Sequence, residues 1–500
     1  MAAIRRMNLA DLLAFVVIVA AAAGARVWYL KTAGAYSDGP IRVQDSQPDA
    51  REIDRLTGYG GRGSSGPTEL DILVANLVDR NQFACRPPFA KATEETAHVA
   101  PGYPYFISVL ERFRRDHQSA DVAARWIQAA LGALTAGLYY VIALLAFRSR
   151  VVAILAGLFC AVHPFWIVNA ATIDDGTLAA FLLALALFLG TRGGMAGGAL
   201  TSLLYGLSLA ALALVRAALL PFAIVGLLWF LLRSRDVPRG WLCGLVAFLG
   251  FVMGLTPWTL RTWTLFNEPV PVVNSRYEHL WMGNNPRATG GPMSEEEMTK
   301  ALRRDADDAE GAALQRRLAE QTNVNERHHI LAEAMHRTMH DDPAGFLRRR
   351  IGATLCFFFG ESFIQHPDSW AAGNLMATPG QYEPLPPWLG ENLTVIFYGV
   401  TLGMMLLGVL GWRWTYAWRV ESRLLALATI LIPLPYILSH AETLVGPRLP
   451  LDGVLLTFAA FALSCIIPGV GTSLFLGPET AENDEAVTRR LNEDKPHVRF

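Results

Sequence analysis

Long apolar runs separated by polar connections dominate the chain. Runs of about 20 residues, enough to cross roughly 30 Å of hydrocarbon, recur along the 500 residues. This pattern predicts an all-α, polytopic membrane protein with about ten transmembrane helices. The predicted spans cover residues 9–30, 123–147, 150–169, 175–191, 198–215, 217–232, 240–258, 391–411, 424–439 and 449–468.

Two long polar segments, residues 31–121 and 262–390, interrupt the series of apolar runs. In the first, leucine and valine recur at helical spacing, which predicts an amphipathic helix over 68–80. In the second, residues 294–350 are charged and rich in helix-forming residues, and a serine three residues ahead of a glutamate predicts a capping box. Residues 351–360 are apolar but too short to cross, so we expect an interfacial or re-entrant segment.

Basic residues fall on alternate connections between the spans. The positive-inside rule places those connections in the cytoplasm, with both termini, and places the two long loops outside. We therefore expect one transmembrane domain, residues 1–470, that includes both extracytoplasmic helical loops, and a polar cytoplasmic tail, residues 471–500. The basic residues are Arg5, Arg6, Arg148, Arg150, Arg192, Arg233, Arg235, Arg239, Arg413, Arg419 and Arg423.

Composition narrows the class further. The chain is 52% hydrophobic and 17% charged, and its net charge of -1 provides no overall attraction to nucleic acid. The five cysteines show neither a disulfide framework nor metal-ligand spacing. Cysteine-poor outer loops without eukaryotic targeting signals favour a bacterial inner membrane.

Carboxylates mark two candidate positions at the outer ends of the spans. Glu69 and Asp71 fall in the first turn of the helix predicted over 68–80, where an acid could face a substrate at the membrane surface. Acids are also favourable there simply because of the helix dipole. Asp174 and Asp175 precede a span, where they could orient an acceptor, hold a divalent metal or cap the helix.

Four arginines accompany these acids. Arg216 interrupts an apolar run, and Arg261, Arg276 and Arg448 lie at or just beyond the predicted outer ends of spans. Each could snorkel to the interface on its own. Several on one face would form a phosphate site, because the guanidinium fork suits phosphate oxygens.

The order of short motifs resembles the membrane glycosyltransferases of the GT-C class, in particular the branch of protein O-mannosyltransferases and lipid A aminoarabinose transferases. The resemblance extends over about residues 1–470. The motifs are Glu69-Leu70-Asp71, Ala100-Pro101-Gly102-Tyr103-Pro104, Arg216 in an apolar hairpin, Pro257-Trp258-Thr259-Leu260-Arg261, Gly283-Asn284-Asn285-Pro286 and Arg448-Leu449-Pro450-Leu451.

The resemblance implies a GT-C-like fold and transfer of a sugar, with inversion, from a polyprenyl-phosphate donor to a hydroxyl of a lipid, glycan or protein. Thr68 stands where the family has an aspartate, so Glu69, or Asp71 in a shifted register, would be the general base. The family's lysine is replaced by Val99, with His98 as a substitute. The donor-phosphate ligands would then be His98, Arg216, Arg261, Arg276 and Arg448.

Two other classes fit parts of the pattern. A secondary transporter would place charged residues near the bilayer midplane, whereas the acids here cluster toward one membrane face. A non-catalytic lipid-binding protein would explain the missing family aspartate.

Overall fold

The computed structural model is helical almost throughout. It describes residues 8–32, 69–114, 117–196, 198–234, 240–288, 290, 293–321, 323–359, 403, 406, 408–409, 420–440 and 448–466. Within these ranges the strands are β1 (Ala84–Cys85) and β2 (Glu94–Glu95), which pair antiparallel in one hairpin. The all-α prediction is therefore confirmed.

The helices form a membrane bundle followed by a polar helical layer and a return to the bundle. The first group is α1 (Leu9–Thr32), α2 (Glu69–Asp79), α3 (Gly102–Arg114), α4 (His117–Phe147), α5 (Arg150–Ala161), α6 (Pro164–Asn169), α7 (Gly176–Ala196), α8 (Ala199–Val215), a 3-10 turn (Ala217–Leu219), α9 (Leu220–Ser234) and α10 (Gly240–Phe266). The remainder are α11 (Arg276–Asn284), α12 (Glu295–Lys300), α13 (Ala309–Glu320), α14 (Val324–Asp341), α15 (Pro343–Phe359), α16 (Val420–Leu431), α17 (Pro433–Leu438) and α18 (Leu449–Ile466).

Nine predicted spans coincide with apolar helices of the described chain. Six helices are long and apolar enough to cross a membrane, and three shorter apolar helices accompany them. The span predicted at 391–411 lies outside the described residues apart from four isolated positions, and the predicted tail at 471–500 lies entirely outside them. The long helices are Leu9–Lys31, Ser119–Phe147, Gly176–Gly193, Ala217–Ser234, Gly240–Phe266 and Leu449–Ile466, and the shorter ones are Arg150–Ala161, Ala199–Val215 and Ser422–Leu438.

Small residues allow the helices of the bundle to approach closely. A Cβ on Gly206 of α8 would lie 1.9 Å from the carbonyl oxygen of Ala247 on α10, and one on Gly250 would lie 2.7 Å from that of Leu203. Lipid-embedded helices associate through packing rather than through water exclusion, so such contacts are the main attraction available.

The bundle has two chemically different ends. At one, which we call the basic end, α1 and α5 begin together, and Arg150 donates from Nε to Asp11 Oδ1 at 2.7 Å. At the other, the loop end, α1 finishes beside α5, where the buried Arg26 donates to the Ala161 carbonyl at 3.2 Å. The long connections that carry α2, α3 and α11–α15 leave from the loop end.

A separate apolar core holds the polar layer together. Trp281 of α11 packs with Met298, Leu314 and Leu331, which come from the following helices. Ser294 and Glu297 form the predicted capping box at the start of α12. The helices predicted between residues 294 and 350 are therefore confirmed, whereas the interfacial position of residues 351–360 stays a prediction.

Candidate functional site

The first turn of α2 carries the two acids proposed as the general base. Leu73, Val74 and Leu77 are buried on one face of this helix, as the apolar spacing predicted. Glu69 is its first residue. The residue as a whole is exposed, but its carboxyl Oε1 lies against the fully buried Cys85 and accepts a hydrogen bond from that thiol at 3.3 Å. Desolvation of the carboxyl raises the pKa of Glu69, and the bond from Cys85 opposes that shift. Asp71, two residues further along the same turn, is half-buried.

An apolar cluster brings α2 into the neighbourhood of the second acid pair. Leu70, one residue after Glu69, belongs to the same cluster as Tyr103 and Ile173, the residue that precedes Asp174. The hydroxyl of Tyr103 donates to Gln128 Oε1 at 2.8 Å, and Gln128 Nε2 donates to the Thr172 carbonyl at 2.6 Å. These contacts fix the loop before α7 against α3.

The Pro101-Gly102-Tyr103-Pro104 element has a steric explanation. A Cβ at Gly102 would lie 2.7 Å from Val215 Cγ2 and 2.9 Å from the Leu214 carbonyl oxygen. Glycine therefore lets α3 begin directly against the last turn of α8, immediately before Arg216. The element places the first long polar loop beside the predicted cation, Arg216.

Asp174 is turned into its own loop. It accepts hydrogen bonds from Asn169 Nδ2 at 2.6 Å, from the Gly176 backbone N–H at 2.6 Å, and from the Thr172 hydroxyl. Burial and the adjacent charge of Asp175 raise the pKa of Asp174, while these donors oppose the shift. The contacts match helix capping, the simplest of the three roles that the sequence left open.

Asp175 faces a different partner, Arg216. Arg216 Nε donates to Asp175 Oδ2 at 2.9 Å, and Nη2 contacts Oδ1, which gives a two-pronged ion pair. Arg216 has an extended backbone between α8 and the 3-10 turn, so its side chain leaves the apolar hairpin at the loop end. The side chain of Arg216 is 8% exposed and that of Asp175 is 20% exposed.

The described residues contain no group of three or more His, Cys, Asp or Glu side chains that could hold a metal ion. Asp174 and Asp175 contact different partners, as described above. Within this part of the chain, the arrangement supports a capping acid next to an ion-paired acid.

Two of the predicted phosphate ligands are engaged by the protein itself. Arg261 donates to the carbonyls of Thr96 and Phe83, each at 3.1 Å, so it anchors α10 to the β-hairpin. Arg448 is buried and donates from Nε to Asp452 at 2.7 Å and from Nη1 to the Phe358 carbonyl at 2.5 Å. Phosphate contact by either arginine stays a prediction.

Arg276 is in a different position. It is exposed at the start of α11, with its guanidinium carbon 4.7 Å from the centroid of the Tyr277 ring. Among the predicted arginines, it is the one that has no carboxylate partner within the described residues. Its charge is therefore the most available to an incoming anion.

His98 meets an acid that the sequence interpretation did not select, Glu278 of α11. Nδ1 of His98 lies 3.4 Å from Glu278 Oε2, and both side chains are buried. Desolvation lowers the pKa of His98 to about 3. Desolvation, reinforced by Glu69, raises the pKa of Glu278 to about 8. At neutral pH both groups are therefore uncharged, and His98 is a poor phosphate ligand in this state.

Two further histidines continue from this contact. The rings of His98 and His279 are stacked with centroids 6.3 Å apart, and His279 Nδ1 lies 3.1 Å from His440 Nε2. The residues come from the first long polar loop, from α11 and from the segment just after α17. Sequence spacing could not bring them together, although the acid and histidine adjacent at 278–279 were a visible signal.

A shallow pocket opens beside the His98–Glu278 contact. It encloses about 300 Å³, including space open to solvent, and its lining includes Asn274, Arg327 and His328. Arg327 is paired with Glu94 at 2.8 Å. Glu278 therefore lines a small surface depression of mixed polar and apolar character. It also interacts electrostatically with Glu69.

The comparisons with known proteins found similar structures but no matching family model or curated sequence. It is similar to the Archaeoglobus fulgidus oligosaccharyltransferase in the apo form, with 14% identity, a TM-score of 0.47, and coverage of 98% of this chain and 52% of that one. The archaeal oligosaccharyltransferase AglB with an inhibitory peptide and a dolichol-phosphate gives 12% identity, a TM-score of 0.46 and the same coverages.

ArnT from Cupriavidus metallidurans, bound to undecaprenyl phosphate, is also similar. It shows 13% identity and a TM-score of 0.31 over 90% of this chain and 78% of that one. Both similar proteins are glycosyltransferases of the GT-C class, the class that the motifs resemble. The chain spans about half the length of the archaeal chains.

Proposed function

We propose that this protein is an integral-membrane glycosyltransferase. In this proposal it moves a sugar from a polyprenyl-phosphate donor to the hydroxyl of a lipid, glycan or protein acceptor at the outer face of a bacterial inner membrane. Residues 1–470 form the catalytic domain, and both termini are cytoplasmic. The observation that carries the proposal is the position of Glu69, Arg276 and the Asp175–Arg216 pair, all at the loop end of the bundle.

The position of these groups favours interfacial chemistry over transport. A polyprenyl-phosphate keeps its tail in the hydrocarbon and its phosphate at the interface, which is the level of the loop end. A transporter of the usual design holds its substrate near the bilayer midplane. Among the described site residues, the acids and Arg216 lie where α2 and α7 begin and where α8 ends, rather than in the middle of the spans.

The proposed reaction is a single displacement at the anomeric carbon. The acceptor oxygen forms a bond to that carbon as the bond to the phosphate oxygen breaks, and the acceptor proton passes to Glu69. The polyprenyl phosphate leaves with its negative charge, which Arg276 and Arg216 stabilise. Attack opposite the leaving group inverts the configuration of the sugar.

Glu69 is the better of the two proposed bases. Its Oε1 is oriented by Cys85, and its Oε2 has no hydrogen bond to any of the residues described. Desolvation of the carboxyl strengthens its basicity toward a bound hydroxyl. Asp71 is the alternative in a shifted register, and a variant of each acid separates the two.

The test is sugar transfer in membranes supplied with polyprenyl-phosphate sugars. Glu69→Gln keeps the shape of the side chain and removes the base, so transfer should fall by about 100-fold or more. Asp71→Asn should retain most of the activity. Asp79→Asn provides a matched control, because Asp79 is an exposed acid at the far end of the same helix.

Full transfer by the Glu69→Gln, Asp71→Asn double variant would exclude both proposed bases. Uptake of a solute into reconstituted vesicles, with no transfer from any lipid-linked sugar, would support the transporter class instead.

A further inference from the structure

The thiol of Cys85 lies against the proposed base. Cys85 is fully buried in β1, and its Sγ lies 3.3 Å from Glu69 Oε1. The two residues are 16 positions apart in sequence and come from different elements. A thiol is a weak donor, so its effect here depends on being held in place.

The hairpin that carries Cys85 is fixed on three sides. Asn76 of α2 donates from Nδ2 to the Ala84 carbonyl at 2.8 Å, which attaches β1 to the helix that begins with Glu69. Cys85 pairs with Glu94 in the two-stranded ladder. Arg261 of α10 donates to Phe83 on one side of the hairpin and to Thr96 on the other. These contacts therefore hold the thiol in a fixed position next to Glu69.

The contact divides the roles of the two carboxylate oxygens. Oε1 accepts from the thiol, and Oε2 is left for another donor. We propose that Cys85 is a positioning residue that orients Glu69 so that Oε2 receives the proton of the acceptor hydroxyl. This inference rests on the proposed function, since it assigns a partner to the proposed base.

The groups around Glu69 determine the direction of the expected effect. Cys85 faces it from β1, and Glu278 of α11 lies close enough for the charge of Glu69 to raise its pKa. Glu94 lies near the thiol on β2, and Asp71 lies on the same helix as Glu69. Desolvation disfavours the ionised form of Glu69, whereas the S–H donor favours it. Removing the donor should therefore raise the pKa of Glu69.

The first experiment measures the pH dependence of transfer for the wild-type protein, Cys85→Ala and Cys85→Ser. The acidic limb of the profile should move upward by about half to one pH unit in Cys85→Ala, so that transfer on that limb falls roughly three- to tenfold. Cys85→Ser keeps a donor and should return the limb to the wild-type position or below it. Cys160→Ala, which removes an equally buried thiol from α5, should leave the limb unchanged.

The second experiment does not depend on activity. The S–H stretching band of Cys85 is isolated in solubilised protein as the infrared difference between wild type and Cys85→Ala. In the Glu69→Gln variant the acceptor changes from a carboxylate to an amide, so this band should shift toward that of a weaker hydrogen bond. Thermal unfolding of each variant establishes that the comparison is made on folded protein.

The outcomes separate the two proposals. An unchanged S–H band in Glu69→Gln, or an acidic limb in Cys85→Ala that matches the wild type, overturns the positioning role even if Glu69→Gln abolishes transfer. If the S–H band shifts in Glu69→Gln but this variant still transfers sugar normally, the contact between Cys85 and Glu69 is real but Glu69 is not the base. The positioning role of Cys85 is then overturned as well.

Discussion

The two ends of the membrane bundle each carry an Asp–Arg pair, and the pairs are built in opposite ways. At the basic end, the Asp11 side chain is 1% exposed and its partner Arg150 is 39% exposed. At the loop end, the cation is the better buried member, because Arg216 is 8% exposed and Asp175 is 20% exposed. Within these two pairs, the acid is the hidden member at the basic end and the more exposed member at the loop end.

The surroundings of the two acids explain the difference. Asp11 exchanges hydrogen bonds with Asn8, whose backbone N–H donates to Asp11 at 3.1 Å and whose Oδ1 accepts from the Asp11 N–H at 3.0 Å. This acid closes the first turn of α1 and joins it to α5. At the loop end, the capping contacts are made by the preceding residue, Asp174, so Asp175 is not needed to cap α7. The comparison indicates a structural pair at the basic end, and it is consistent with the substrate role that we propose for the pair at the loop end.

The largest expected effect comes from breaking the loop-end pair. Asp175→Asn leaves Arg216 buried without its carboxylate, which should destabilise the fold by about 3 kcal/mol. It should also lower transfer per folded molecule by about 100-fold, because the guanidinium loses its fixed direction. Asp11→Asn should reduce stability without changing transfer per folded molecule. Thermal unfolding and the membrane transfer assay, run on both variants, make the comparison.

Equal losses of transfer in the two variants, after correction for the folded fraction, would remove the functional distinction between the ends.

A second test uses the pH dependence of stability. In the folded protein burial raises the pKa of Glu278 to about 8, with Glu69 and Glu295 adding to the shift and Arg327 opposing it. In the unfolded chain the carboxyl of Glu278 ionises near pH 4.5. The contribution of Glu278 to the free energy of unfolding is therefore complete below that pH and is lost as the pH rises toward 8. The contribution of Glu278 alone should fall by about 1.4 kcal/mol for each pH unit between roughly 5 and 7.

Glu278→Gln should remove this slope, whereas Asp11→Asn at the basic end should leave it in place. Chemical unfolding of each variant at a series of pH values gives the slopes directly. The buried histidines, His98 among them, contribute slopes of the opposite sign that both proteins share. A difference in stability between wild type and Glu278→Gln that stays constant from pH 5 to 7 would therefore contradict the buried, uncharged state of Glu278.

The sequence predicted the parts of this architecture that depend on local periodicity. The apolar runs gave the nine spans that the described residues contain, the leucine spacing gave α2, and Ser294 with Glu297 gave a helix start. These signals are local because a helix is specified by residues three or four positions apart.

The contacts of the site are not local, and spacing could not supply them. Cys85 reaches Glu69 through a hairpin, and His98 meets Glu278 across 180 positions of sequence. The arginines show the same limit. All four were predicted from their places at the ends of spans, but whether each one binds a carbonyl, a carboxylate or solvent depends on tertiary packing.

The smallest expected effect concerns two arginines that each lie over an aromatic ring at opposite ends of the bundle. Arg276 lies 4.7 Å from the Tyr277 centroid at the loop end, and Arg192 lies 6.0 Å from the Phe188 centroid at the basic end. Both are exposed, so neither should matter much for stability.

Arg276→Ala should raise the KM for the polyprenyl-phosphate sugar by roughly three- to tenfold, in proportion to one screened phosphate contact. Arg192→Ala should leave that KM unchanged. Added salt should narrow the difference in KM between Arg276→Ala and wild type, because screening weakens the phosphate contact that only the wild type makes. A KM that responds equally to both substitutions would show that the exposed charge at the loop end has no special relation to the donor.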